Sequence, residues 1–175
     1  MQTSQQKVIV LDFGAQYGQL IARRVRDLHV YSEIMPCDAT AEEISAAGPS
    51  AIILSGGPAS VNEEGAPRVA PKIYELGIPV LGFCYGHQIT AVTLGGTVFH
   101  PEVGEYGRAE LHVKADSKLF ADTPANQTVW MSHFDAVNNV PEGFVVTAST
   151  DVCPVAAMEN AERKIYTTQF HPEVK

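Results

Sequence analysis

The sequence predicts an α/β protein in which a mostly parallel sheet is covered by helices on both faces, with a smaller mixed or antiparallel sheet added by the second half. Three observations point there: the early strands are continuous apolar runs, helical segments alternate with them, and short strand-like runs crowd together after Gly96. A length of 175 residues with 45% hydrophobic content suits one domain, residues 1–175, with a sizeable core.

KVIVLDF, closed by Gly14, is the first strand. YGQLIARRVRDL then places Leu20, Ile21, Val25 and Leu28 at helical spacing. HVYSEI, ATAEEISAA and SAIILSGGP complete a second strand–helix–strand unit. APRVAPKIYELG is expected as a further helix despite Pro71, and GIPVLGF leads through a turn into CYGHQITAVTLGG, a helix carrying Ile89, Val92 and Leu94. Beyond Gly96 the runs GTVFH, RAELHV, QTVWMSH, GFVVTAS, PVAAME and RKIYTTQF read as strands or hairpins. The sequence stops at HPEVK with no helix behind the last strand, so a doubly wound sheet covered on both faces is expected to be cut short at this end.

Twelve Lys and Arg against twenty Asp and Glu leave a net charge of -8, which argues against a broad phosphate-binding face and hence against nucleic acid. No apolar run approaches the ~20 residues of a membrane span, and MQTSQQ has no signal-peptide pattern. Three cysteines, an odd number, suit a reducing compartment, so a cytoplasmic location is expected. The cysteines lack paired spacing and the histidines form no HExxH, so no metal is expected. SGGP has no following Gly-Lys-Ser/Thr, which excludes a phosphate-binding loop. Arg23, Arg24 and Arg26 read as a solvated helix face.

Chemistry concentrates in PVLGFCYGHQITA. An apolar strand ends at Gly82-Phe83-Cys84-Tyr85-Gly86 and helical spacing resumes at once, the form of a nucleophile elbow with cysteine in place of serine. A cysteine at a helix start has its thiolate favoured by backbone N–H groups and the helix dipole. Cys37 and Cys153 lack such a setting and read as core residues. A thiol nucleophile wants a base, and His171 in QFHPEV directly follows a strand, with Glu173 two residues on to orient the ring. The Ser55–Pro58 turn after AIIL offers N–H groups that, with the Tyr85 N–H, can receive an oxyanion. His133 ends a strand and is expected to border the pocket, while His87 is expected to face a neighbouring segment.

SGGP, GFCYGHQ and QFHPEV together resemble the triad-type, class I glutamine amidotransferases, and LDFGAQYGQLIARRVR, EYGRAEL and VWMSHFD are similar to the GMP synthase branch of that family. The resemblance runs from Val8 to Val174. It implies a flavodoxin-like three-layer sandwich in which Cys84 attacks the carboxamide of L-glutamine and forms a γ-glutamyl thioester. His171 would be the base, Glu173 its orienter, and Gly57 and Tyr85 the oxyanion donors. Gln88, Ser132, His133 and Phe134 would bind substrate. The domain would need no cofactor of its own. Its ammonia would go to an ATP pyrophosphatase domain that uses ATP and Mg2+ to aminate XMP to GMP, and the resemblance implies that the sequence given lacks that domain and a dimerisation domain. The family pattern Ser-His-Gly-Asp here reads Ser132-His133-Phe134-Asp135, and the phenyl ring is expected to narrow the pocket or tilt the loop. Glu173, close to the end, is expected to be weakly anchored. Two other readings remain open on the sequence. One is a cysteine peptidase or other small-amide hydrolase on the same architecture; the other is a catalytically weak amidotransferase-like binding module.

Overall fold

A computed structural model describes residues 6–14, 16–114 and 116–174. In chain order the elements are β1 (Lys7–Asp12), α1 (Tyr17–Asp27), β2 (Tyr31–Pro36), α2 (Ala41–Ala47), β3 (Ala51–Leu54), β4 (Val80–Phe83) and α3 (Tyr85–Thr93). The second half contributes β5 (Thr97–Phe99), β6 (Glu105–Val113), β7 (Asn126–His133), β8 (Ala136–Asn139), β9 (Val145–Ser149), β10 (Ala157–Asn160) and β11 (Ile165–Thr168).

Nine strands form one sheet in the order β2-β1-β3-β4-β11-β10-β9-β6-β7. The five from β2 to β11 pair in parallel, and from β11 onward each pair is antiparallel. The small antiparallel sheet is β5 with β8. Most late strands therefore extend the main sheet, and the last strand, β11, inserts beside β4 in its parallel half. β8 is a strand that no apolar run announced: in Ala136-Val137-Asn138-Asn139 only the first two side chains are buried.

Alternation along the buried strands sorts the core. Ile9 and Leu11 of β1 face Ile44 of α2 and Ile89 of α3, whereas Val10 faces Ile21 and Ala22 of α1 on the other side. A third cluster, with Leu111, Met131 and Phe170, fills the antiparallel half. α2 begins with a capping box, Thr40 Oγ1 accepting from the Glu43 N–H at 3.1 Å while the Glu43 carboxylate accepts from the Thr40 N–H at 2.8 Å. The expected helix over APRVAPKIYELG shrinks to a 3-10 turn at Pro71–Glu75. Pro71 has no N–H to donate, and its ring holds Ala70 extended at ψ 119°, so no α-helix can run through it.

This arrangement brings the carboxyl ends of β1, β3, β4 and β11 side by side. Crevices at such ends are where ligands bind in open α/β sheets.

Candidate active site

Four chain segments leave those strand ends and meet. From β4 the chain turns at Cys84, whose φ of +52° and ψ of -104° lie in a region a non-glycine residue occupies only under constraint. The constraint is visible on both sides: the Cys84 N–H donates to Thr168 O at 2.9 Å, and its carbonyl already accepts from the Gln88 N–H at 3.1 Å as α3 begins. Gly82 and Gly86 are needed for closeness rather than for turning. A Cβ on Gly82 would sit 2.7 Å from the Gly86 carbonyl oxygen, and one on Gly86 would collide with Leu54 of β3. The helix start thus lies against two strands, and only glycines allow it.

His171 follows β11. Its N–H donates to Trp130 O at 3.0 Å and its Nδ1 lies 2.8 Å from Glu173 Oε1, with both side chains 2% exposed. Burial by itself disfavours the charged imidazole, but hydrogen bonds and charge from Cys84 and Glu173 outweigh it and raise His171 to about 9. The Tyr17 ring packs on His171 at a centroid distance of 4.5 Å. Glu173 is not loose. It is 4% exposed, and Arg24 Nε of α1 donates to its carbonyl oxygen at 3.2 Å. Arg24, read from the sequence as solvated helix surface, is therefore an anchor for this segment.

The turn after β3 completes the floor. Ser55 Oγ accepts from the Phe13 N–H at 3.0 Å, and the Ser55 carbonyl accepts from the Gly86 N–H at 3.1 Å, which ties the turn to the elbow. Among the described residues the N–H groups of Gly57 and Tyr85 have no hydrogen-bond acceptor. Gly57 cannot carry a side chain, since a Cβ would lie 2.7 Å from Phe13 O. Gly56 carries a meaning the sequence did not single out: a Cβ there would sit 2.9 Å from His171 Cε1 and 3.6 Å from Cys84 Cβ. The side chains of Cys84 and His171 thus both border this turn.

A cleft of about 850 Å³ opens over Cys84 and His171, a size that suits a small molecule. Its walls include Gly57, Gln88, Ser132, His133 and Phe134. Cys84 Sγ lies 3.6 Å from the Ser132 carbonyl oxygen. The Gln88 Nε2 donates to Asp135 O at 2.7 Å and to Gln169 Oε1 at 3.2 Å. Phe134 stacks on His100 at 4.2 Å and 16°, so its ring belongs to the rim; His100 Nδ1 in turn pairs with Asp135 at 2.6 Å, and Ser60 donates to the other Asp135 oxygen. Ser60, His100 and Asp135 bind three loops together and were not legible as a set in the sequence.

His87 faces Thr167 and Val155 O, as expected, and burial lowers it to about 3. Cys37 and Cys153 are not among the described residues that line the cleft. Cys153 is fully buried, and burial, then the charge of Glu105, pushes its thiol up to about 12. Although spacing suggested no metal cluster, Glu105, His133 and Cys153 bring their ligand atoms within 4.8 Å of one another. Glu105 Oε2 is 3.2 Å from His133 Nε2, and Glu105 Oε1 accepts from Thr150 at 2.8 Å. The described contacts thus account for both carboxylate oxygens without an ion.

The family profile described as glutamine amidotransferase class-I matches residues 9–175. A Streptomyces coelicolor protein named GMP synthase [glutamine-hydrolyzing] is 61% identical over 95% of this chain and 32% of its own length. One of the same name from Clostridium novyi is 54% identical over the whole chain and 34% of its own length. The chain thus spans about a third of the length of the curated relatives it matches. A solved structure from Thermoplasma acidophilum, named for a GMP synthase subunit, superposes with a TM-score of 0.87 at 34% identity, covering 98% of this chain and 86% of the other. A Thermotoga maritima glutamine amidotransferase shares the fold, with a TM-score of 0.74 at 22% identity.

Proposed function

This chain belongs to the class-I glutamine amidotransferase family, and from that premise we propose that it hydrolyses L-glutamine to glutamate and ammonia through a thioester on Cys84. The observation that carries the reading is the strained Cys84 at the end of β4 in contact with a His171–Glu173 pair at the end of the adjacent β11.

Cys84 Sγ, its proton already taken up by His171, attacks the carboxamide carbon. The tetrahedral oxyanion is received by the Gly57 and Tyr85 N–H groups, where loss of one donor costs about 3 kcal/mol of barrier. As the C–N bond breaks, His171 returns the proton to the nitrogen, and ammonia leaves. Water, deprotonated by His171, then attacks the γ-glutamyl thioester, and the thiol and glutamate are released. Glu173 keeps the ring oriented by accepting from Nδ1–H. Gln88 accepts from the substrate's α-ammonium through Oε1, its amide nitrogen being engaged elsewhere. Ser132, His133 and Phe134 form the wall along the substrate's length.

The names of the long relatives extend the proposal. Ammonia made here is delivered to an ATP pyrophosphatase domain or subunit, which with ATP and Mg2+ aminates XMP to GMP. Three free cysteines accord with the cytoplasm, and among the described residues no helix is long and apolar enough to cross a membrane.

The test is intact mass after incubation with the glutamine-mimicking electrophile 6-diazo-5-oxo-L-norleucine, beside ammonia release from glutamine. One adduct, absent from Cys84→Ala and suppressed by glutamine, is expected. Labelling that persists in Cys84→Ala, or cleavage of peptides but not of glutamine, would refute the proposal.

A further inference from the structure

One buried polar group takes no part in the chemistry above. His133 stands in the cleft wall, yet neither ring nitrogen is free to meet a ligand. Nδ1 lies 2.9 Å from the Asp135 carbonyl oxygen and Nε2 lies 3.2 Å from Glu105 Oε2, with the two side chains 3% and 11% exposed. A main-chain carbonyl only accepts, so Nδ1 carries a proton and donates it there. Glu105 is held in turn: its Oε1 accepts from Thr150 Oγ1 at 2.8 Å, and Thr150 Oγ1 accepts from the Cys153 N–H at 2.9 Å. A continuous relay runs from the 150–153 loop through Glu105 and His133 to the carbonyl of Asp135.

That carbonyl is also the acceptor for Gln88 Nε2, at 2.7 Å. Its two lone pairs are thereby both used, one by His133 and one by Gln88. Because this acceptor cannot be flipped, it dictates which end of the Gln88 carboxamide turns inward. The amide nitrogen faces Asp135, and Oε1 is left as the end available to a ligand in the cleft.

We propose that Glu105 and His133 are positioning residues for substrate selection: by fixing the Asp135 carbonyl they hold Gln88 with its oxygen toward the cleft, and so select substrates bearing an α-ammonium group. The inference rests on the glutaminase reading and adds a specificity device to it. It assigns the ring nitrogens of His133 no hydrogen bond to substrate. Without the ring, the Asp135 carbonyl loses its tether and the amide nitrogen of Gln88 keeps as firm partner only Gln169 Oε1, one end of a carboxamide that can itself turn over.

The experiment compares ammonia release from L-glutamine with release from 5-amino-5-oxopentanoic acid, which has the same amide but no α-amine. Wild type is expected to favour glutamine. His133→Phe and Glu105→Ala should each lower the ratio of the two kcat/KM values by about tenfold or more, the worth of a hydrogen bond to a charged group, through KM for glutamine. Release from the des-amino substrate should fall less than release from glutamine, and Glu105→Gln, which keeps an acceptor for His133, should retain the ratio to within about threefold. Gln88→Leu sets the floor. A merely structural role lowers both substrates alike and leaves the ratio unchanged, and that result overturns the proposal. So does one zinc bound per chain and lost in Cys153→Ser, since a metal would then hold the ring. If Glu105→Ala does not fold, Thr150→Val, which releases the other Glu105 oxygen, is expected to shift the ratio in the same direction, and an unchanged ratio there is equally fatal. Wild type that releases no ammonia from glutamine defeats the glutaminase reading itself, whereas normal turnover with an unmoved ratio defeats only this inference.

Discussion

Substituting Gly56 by Ala adds one methyl group and removes nothing, so it asks directly whether the placement of His171 matters. The new Cβ would lie 2.9 Å from His171 Cε1, 3.7 Å from its Nδ1 and 3.6 Å from Cys84 Cβ. Ordinary carbon contacts are about 3.5–4.0 Å, so the ring must retreat by roughly 0.5–1 Å or the turn must lift. Retreat is opposed by the 2.8 Å bond to Glu173 and by the Tyr17 ring packed against His171 at 4.5 Å. A catalytic group misplaced by about 1 Å loses about 100-fold in rate, or ~2.7 kcal/mol of barrier. Overpacking at one buried methyl costs about 1–3 kcal/mol of stability, which leaves a folded protein with a lowered Tm. We expect Gly56→Ala to slow Cys84 labelling by 6-diazo-5-oxo-L-norleucine and ammonia release by about 10- to 100-fold, while far-ultraviolet circular dichroism stays native. Full activity at an unchanged Tm would refute the reasoning: His171 would then tolerate displacement and could not be the group that moves the proton.

Three further outcomes follow from the same geometry. His171 is raised to about 9 in the folded chain against an ordinary value of 6.5, so its proton stabilises the fold fully below pH 6.5 and that contribution is lost as pH rises through 9; urea midpoints should fall between pH 6.5 and 9 more in wild type than in His171→Gln, and equal slopes would contradict it. Arg24→Gln removes the donor to the Glu173 carbonyl and should lower kcat by about three- to tenfold with little change in KM, with partial recovery in Arg24→Lys; wild-type kinetics would show that Glu173 needs no help from α1. Phe134→Gly deletes the stack on His100 and loosens the cleft rim, raising KM for glutamine by about two- to tenfold; a fall in KM would show that the ring obstructs the pocket instead.

Much of the candidate site was legible because its residues are local in sequence. The elbow at Cys84 needs a strand, a glycine two residues either side and a helix start, all within GFCYGHQ, and His171 and Glu173 are separated only by Pro172. Gln88 lies one turn into the same helix. The parallel half of the sheet could be read for a similar reason: strands buried on both faces must be apolar throughout, as in IIL of β3. Where local chemistry was ambiguous the reading drifted. Pro71 limited an expected helix to a 3-10 turn, and β8, half exposed and ending in two asparagines, gave no periodic signal.

What the sequence by itself determined is the set of candidate reactive groups and the strand ends that present them, since covalent neighbours dictate turn, cap and helix start. Tertiary structure alone decided what those groups touch. It set His171 against the space above Gly56, drew Arg24 from α1 to the Glu173 carbonyl, and brought Glu105 of β6, His133 of β7 and Thr150 beyond β9 into one buried relay. The physical reason is that hydrogen bonds and packing act through space over a few ångströms, and it is strand order, with β11 paired to β4 and β6 inserted between β9 and β7, that converts distant positions into neighbours.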